Sequence, residues 1–182
     1  MRMVLAATKI YSLLLLLALT WIYFQKQLRW TLFIRLDEDK FTLDLVTGLG
    51  AAAFIIGLSI FSVKNFPWGQ LLEDELSKVL VPLHVWEIAV IAVLSGVVEE
   101  TLFRGAIQPV IGLIPTSIIF GLAHFVPRKT FIAWSLYATF AGFLLGSLLE
   151  LTHNLFPVIL AHTVINFVLI LILNHRKTMQ AA

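Results

Sequence analysis

Long apolar segments separated by short polar ones occupy most of the chain. Six of these segments have the roughly 20 residues that a helix needs to cross a bilayer. The pattern therefore predicts an all-α polytopic membrane protein with about six transmembrane helices, in which residues 1–182 form a single integral membrane domain. The predicted spans are Met3–Phe24, Phe41–Val63, Leu83–Phe103, Ile107–Val126, Phe131–Leu149 and Leu155–Leu173.

The segments outside the spans predict the topology. Asn65–Pro82 carries leucines at helical spacing among charged residues, which is typical of a short amphipathic helix at the membrane surface. The first apolar run ends in aromatic rather than small residues, so we expect a retained helix and not a cleaved signal peptide. Eight of the 13 Lys and Arg residues fall on the side of the termini. This excess predicts cytoplasmic termini. We expect the membrane to be a bacterial-type inner (plasma) membrane.

Composition limits the possible functions. Hydrophobic residues make up 59% of the chain and charged residues 13%, whereas a soluble domain has about 25% charged residues. The net charge of +2 comes from thinly spread basic residues, which excludes a nucleic-acid partner. Because the chain has no cysteine, disulfides, thiolate metal sites and a thiol nucleophile are excluded as well.

Ionisable residues inside the spans need a specific reason, because each costs about 2.5–3.5 kcal/mol to insert into a bilayer. Glu99 and Glu100 lie at the end of the third span, and Arg104 follows four residues after Glu100. This spacing places Glu100 and Arg104 on one helical face, where they can form an ion pair. Glu99 has no such local partner, so it is the better candidate for a general base.

Two later spans carry further polar residues. His124 lies in the fourth span, and His162 and Asn166 lie four residues apart on one face of the sixth. Taken alone, each is compatible with a buried packing role. Together with Glu99 they form a set that can activate water and stabilise an oxyanion. Glu99, His124 and His162 are also a possible ligand set for a divalent metal such as zinc, which the sequence leaves open.

Other known hydrolytic and metal motifs do not account for this set. The zinc-binding pattern His-Glu-x-x-His is absent, and the four aspartates do not form a pair within the spans. Glu150 and His153 have the Glu-x-x-His spacing of di-iron helices. They adjoin Asn154 and Pro157, so we predict a loop at this position.

The three motifs resemble those of the CPBP (CAAX protease and bacteriocin-processing, or Abi) intramembrane metalloproteases of the type II CAAX prenyl endopeptidase kind. They are Glu99-Glu100-x-x-x-Arg104, Phe120-x-x-x-His124 and His162-x-x-x-Asn166, within a family-like core of about residues 83–167.

The resemblance implies a membrane endopeptidase that acts on a membrane-associated protein or peptide. It implies that Glu99 and His124 activate water, that His162 and Asn166 stabilise the oxyanion, and that Glu100 and Arg104 support them. The residues leave two alternatives open. One is a non-enzymatic immunity or scaffold protein that uses the same polar side chains for packing, and the other is a transporter or ion channel in which they line a path.

Overall fold

The computed structural model describes residues 2–25 and 38–181, and every regular element in those ranges is a helix. An all-α fold is therefore confirmed. A π-helical segment, Thr101–Ile107, follows the fourth α-helix without a break. The α-helices are α1 (Arg2–Phe24), α2 (Glu38–Asn65), α3 (Pro67–Leu80), α4 (Val85–Glu100), α5 (Gln108–Ile111), α6 (Leu113–Ala123), α7 (Lys129–Thr152) and α8 (Leu155–Ala181).

The polytopic membrane class is also confirmed. Within the described ranges, α1, α2, α7 and α8 are each long and apolar enough to cross a bilayer. A fifth candidate is the pair formed by α3 and the continuous helical stretch Val85–Ile111, which meet at an angle of 107°. By length and composition the described chain thus has four or five spans, where the sequence predicts about six.

The difference in number arises at the predicted span Ile107–Val126. Residues up to Ile111 continue the preceding helix, so the predicted third span runs further than expected. The chain then turns at Gly112, whose φ of +84° is accessible to glycine without strain. The remaining helix, α6, has 11 residues, which is about half the length that a bilayer core requires.

Paired contacts fix the directions of five helices. Arg104 contacts Gly142, and Gln108, four residues later, contacts Gly146, which is also four residues later. The α4–α5 stretch and α7 therefore run parallel. Glu100 contacts His162, whereas the later residue of α8, Asn166, contacts the earlier residue Ser95, so α8 is antiparallel to α4. By the same reasoning α6 is antiparallel to α7, and α2 is parallel to α8. These five helical segments therefore alternate in direction along the chain, even though α6 is short. They are α2, α4–α5, α6, α7 and α8.

Glycines allow close packing against α7. A Cβ on Gly142 would lie 3.1 Å from the ring of Phe120, and one on Gly146 would overlap the side chains of Leu113 and Gln108. The four-residue spacing of these two glycines is the pattern that lets transmembrane helices approach closely. Beside them, Leu145 and Leu148 join a buried apolar cluster formed with α2 and α8.

The two remaining predictions have different outcomes. A helix between Asn65 and Pro82 is confirmed as α3, whereas its position at the membrane surface stays a prediction. Ion pairs hold α3 to the end of α8: Glu73 with Arg176, and Asp74 with Lys177. The predicted loop at Glu150–His153 is wrong. Its first three residues form the last turn of α7, because the helix continues until His153 takes a left-handed conformation with φ of 50°.

Candidate active site

Glu100 is fully buried and has two partners. Its Oε2 lies 3.1 Å from Nε of Arg104, which confirms the ion pair predicted from the four-residue spacing. Its Oε1 accepts a hydrogen bond of 2.5 Å from Nδ1 of His162 on α8. The sequence did not predict this second contact. Glu100 therefore links the end of α4 to the sixth predicted span and fixes the orientation of the imidazole ring.

Arg104 lies in the π-helical segment and is 1% exposed. Its guanidinium carbon is 4.6 Å from the centre of the Phe120 ring, close enough for a cation–π interaction. Its Nη2 donates a hydrogen bond of 3.0 Å to the carbonyl oxygen of Gly142. The buried cation is thus held by a carboxylate, an aromatic ring and a backbone oxygen, and it balances the charge of Glu100.

The carboxylate of Glu99 has two oxygens in different environments. Oε1 accepts a hydrogen bond of 2.7 Å from the hydroxyl of Tyr11 on α1. Oε2 is buried and has no hydrogen-bond partner among the described residues. It lies 3.8 Å from Nε2 of His124 and 4.0 Å from Nε2 of His162. The structure therefore brings together the three residues that the sequence selected on three different spans.

Both imidazole rings present the same edge to Glu99. Nδ1 of His124 is 2.8 Å from the carbonyl oxygen of Phe120, which can only accept, so this nitrogen carries the proton. Nδ1 of His162 likewise donates to Glu100. In the neutral form of either ring, Nε2 therefore carries the lone pair that faces Oε2 of Glu99.

Exposure separates the two histidines. The side chain of His124 is 22% exposed and that of His162 is 7% exposed. A cavity of about 670 Å³ lies between α1, α2, α3, α4, α7 and α8, and its lining includes Glu99, His124 and Asn166. This places His124 at the cavity and His162 behind it. Water or a substrate in the cavity would meet His124 first.

Asn166 forms the third polar group at the cavity. Its Nδ2 donates a hydrogen bond of 2.8 Å to the hydroxyl of Ser95, which lies one helical turn before Glu99. An amide nitrogen carries two hydrogens, and this contact uses one of them. The second remains able to donate to an oxygen atom in the cavity.

The fit of a metal ion can be tested on the spacing of the donors. Glu99, His124 and His162 supply the oxygen and nitrogen atoms that zinc prefers. Two ligands of a tetrahedral zinc ion are about 3.4 Å apart, which is shorter than the two observed separations from Glu99. In residues 2–25 and 38–181, no group of three His, Asp or Glu side chains is arranged as a metal site. The described geometry therefore does not fit a bound ion without movement of the rings.

The motif analysis missed two residues that contact this set. Ser95 is one turn from Glu99 on the same helix, and this spacing could have been noticed in the sequence. Tyr11 is 88 positions away. An aromatic residue in an apolar helix gives no signal that its hydroxyl reaches a carboxylate on another helix.

Residues 81–168 match the family model described as type II CAAX prenyl endopeptidase Rce1-like. The family resemblance carried by the three motifs is confirmed. The matched range holds Glu99, His124, His162 and Asn166, whereas Tyr11 lies outside it.

The chain is also similar in sequence to a bacterial protein. The chain is 34% identical over 125 residues to the uncharacterized protein YpbD of Bacillus subtilis (strain 168). The alignment covers 66% of this chain and 64% of YpbD, so the chain spans less than two thirds of that relative. No solved structure gives a significant match to the chain.

Proposed function

We propose that the protein is an intramembrane endopeptidase that hydrolyses a peptide bond of a membrane-associated protein or peptide. The observation that carries the proposal is the position of Glu99. One carboxylate oxygen is buried without a hydrogen-bond partner among the described residues, faces two imidazole rings and belongs to the wall of a large cavity. A buried carboxylate oxygen without a hydrogen-bond partner is costly to maintain, and accepting a proton from water is a role that would account for it.

The proposed reaction uses these side chains as follows. Water held between Glu99 and His124 loses a proton to Oε2 of Glu99 while its oxygen forms a bond to the carbonyl carbon of the substrate. The free N–H of Asn166 donates to the resulting oxyanion, and His162 supplies a second donor when its Nε2 is protonated. Collapse of the intermediate breaks the C–N bond, and the proton on Glu99 passes to the departing amine.

Glu100 and Arg104 have a supporting role in this scheme. Glu100 holds Nδ1 of His162, as the third member of a catalytic triad orients its histidine. Arg104 balances the negative charge of Glu100 in a region that water does not reach. Neither residue lines the cavity, so we expect both to act through His162 and Glu99.

The lining of the cavity favours a substrate whose bound segment is apolar. Most of its lining is aliphatic or aromatic, with residues such as Leu14, Leu76, Ile91 and Leu169 surrounding the few polar groups. A cavity of this kind, between helices that span a bilayer, suits a peptide that approaches from the membrane. We propose that the protein functions in a bacterial-type inner membrane with both of its termini in the cytoplasm.

Comparison of protein termini tests the proposal. Membranes from cells that produce the native chain, Glu99→Gln or the control Glu150→Gln at equal levels would be analysed by mass spectrometry. Glu150 lies at the end of α7 and is not in the cavity wall. We expect new termini with the native and control chains and none with Glu99→Gln. Identical termini in all three samples would contradict the protease proposal and favour the immunity or scaffold alternative.

A further inference from the structure

Tyr11 on the first helix contacts two residues of α4 at the cavity, although it lies outside the residues that match the family. Few of the described α1 side chains are buried. The Tyr11 hydroxyl donates a hydrogen bond to Oε1 of Glu99, and it also interacts with the hydroxyl of Ser95. The hydroxyl and Oε1 are 2.7 Å apart, which is a normal distance for a strong O–H···O bond. The tyrosine is half-buried and lines the same cavity as Glu99.

This contact divides the work between the two carboxylate oxygens. The terminal torsion of a glutamate side chain is broad and roughly two-fold, so nothing local fixes which way the carboxylate faces. Because Tyr11 occupies Oε1, the carboxylate plane is held and Oε2 remains free. Oε2 is the oxygen that faces His124 and His162. The orientation that the proposed chemistry needs is therefore set by a residue on another helix.

We infer that Tyr11 is a positioning residue for Glu99: it holds one carboxylate oxygen so that the other faces the reacting water. The inference rests on the proposed protease function. It also gives α1 a defined task, because docking of this helix completes the geometry of the general base.

A steady-state comparison tests the inference. Purified full-length chains in detergent would be assayed with a synthetic peptide that spans a cleavage site found by the comparison of termini. Tyr11→Phe removes the hydroxyl and keeps the ring, so we expect kcat to fall by about 10- to 100-fold with KM changed less than about twofold. Tyr23→Phe makes the same change at an exposed position of α1 and should match the native chain.

A second variant pair separates positioning from a general loss of structure. In Glu99→Asp the carboxylate is one methylene further from Tyr11, so adding Tyr11→Phe should change kcat by less than about twofold. If the two effects multiply instead, Tyr11 acts independently of Glu99 and the inference is wrong. A kcat of Tyr11→Phe within twofold of native, with Glu99→Gln inactive, overturns the inference and leaves the proposed function intact. Full activity of Glu99→Gln would overturn the proposed function itself.

Discussion

Replacing Arg104 with methionine leaves a buried carboxylate without its ion-pair partner. Arg104 is 1% exposed and Glu100 is 0% exposed, so water cannot screen the remaining charge. Methionine is flexible and fills much of the space of the arginine stem, so the substitution leaves little empty space. A matched double variant, Glu100→Gln with Arg104→Met, removes both charges and keeps an oxygen that can accept the hydrogen bond from His162.

The free energies of unfolding of the two variants should differ by about 2–3 kcal/mol. Removing one member of a buried ion pair costs about 3–5 kcal/mol, because the other charge stays buried and unpaired. The double variant avoids that cost. It still lacks the hydrogen bond to Gly142 and the contact with the Phe120 ring, together worth about 1–2 kcal/mol. We therefore expect the single variant to be the less stable of the two.

Thermal unfolding of the purified chains in detergent measures this difference. For a chain of this size, 1 kcal/mol corresponds to about 2–4 °C in Tm, so Arg104→Met should lower Tm by about 10 °C. The double variant should recover more than half of that loss. A double variant no more stable than Arg104→Met would refute the reasoning, since it would show that the unpaired charge of Glu100 is not what destabilises the chain.

Three further predictions concern other parts of the molecule. Gly69→Ala should destabilise the chain by about 1–3 kcal/mol in the same unfolding assay, because its Cβ would overlap the backbone carbonyl of Ser62; an unchanged Tm would contradict the close approach of α3 to α2. Glu73→Gln, which weakens the pair with Arg176, should lower Tm by less than about 3 °C because the arginine is partly exposed, and a larger loss would show that the pair is more important than its exposure suggests. Zinc binding stays a prediction of the sequence, because the donor separations from Glu99 fit an ion only if the rings move: one zinc per native chain that is lost in His124→Gln and in His162→Gln would support it, whereas full activity after thorough chelation would contradict it.

Local spacing made part of the site predictable. The ion pair of Glu100 with Arg104 follows from a separation of four residues, which brings two side chains together on any regular helix. This prediction depends on little more than one turn of helix, and the structure agrees with it.

Contacts between distant segments could not be predicted in this way. The hydrogen bonds from Tyr11 to Glu99 and from His162 to Glu100 join residues 88 and 62 positions apart. Their geometry depends on how whole helices pack. The sequence also shows no signal of the break at Gly112. Apolar residues lie on both sides of it, so Ile107–Val126 has the composition of one continuous span.

The hydrogen bonds that Arg104 and Gln108 donate to Gly142 and Gly146 share one offset, 38 positions. This constant offset limits where the chain can change in length. One residue inserted in the helix between Arg104 and Gln108, or between Gly142 and Gly146, rotates the rest of that helix by about 100° about its axis. One of the two hydrogen bonds is then lost. Insertions at Pro127 or Arg128, which are exposed residues of the connection between α6 and α7 outside the cavity lining, change the offset without disturbing either helix. We expect natural variation in length, and a site for an engineered tag, to fall in that connection.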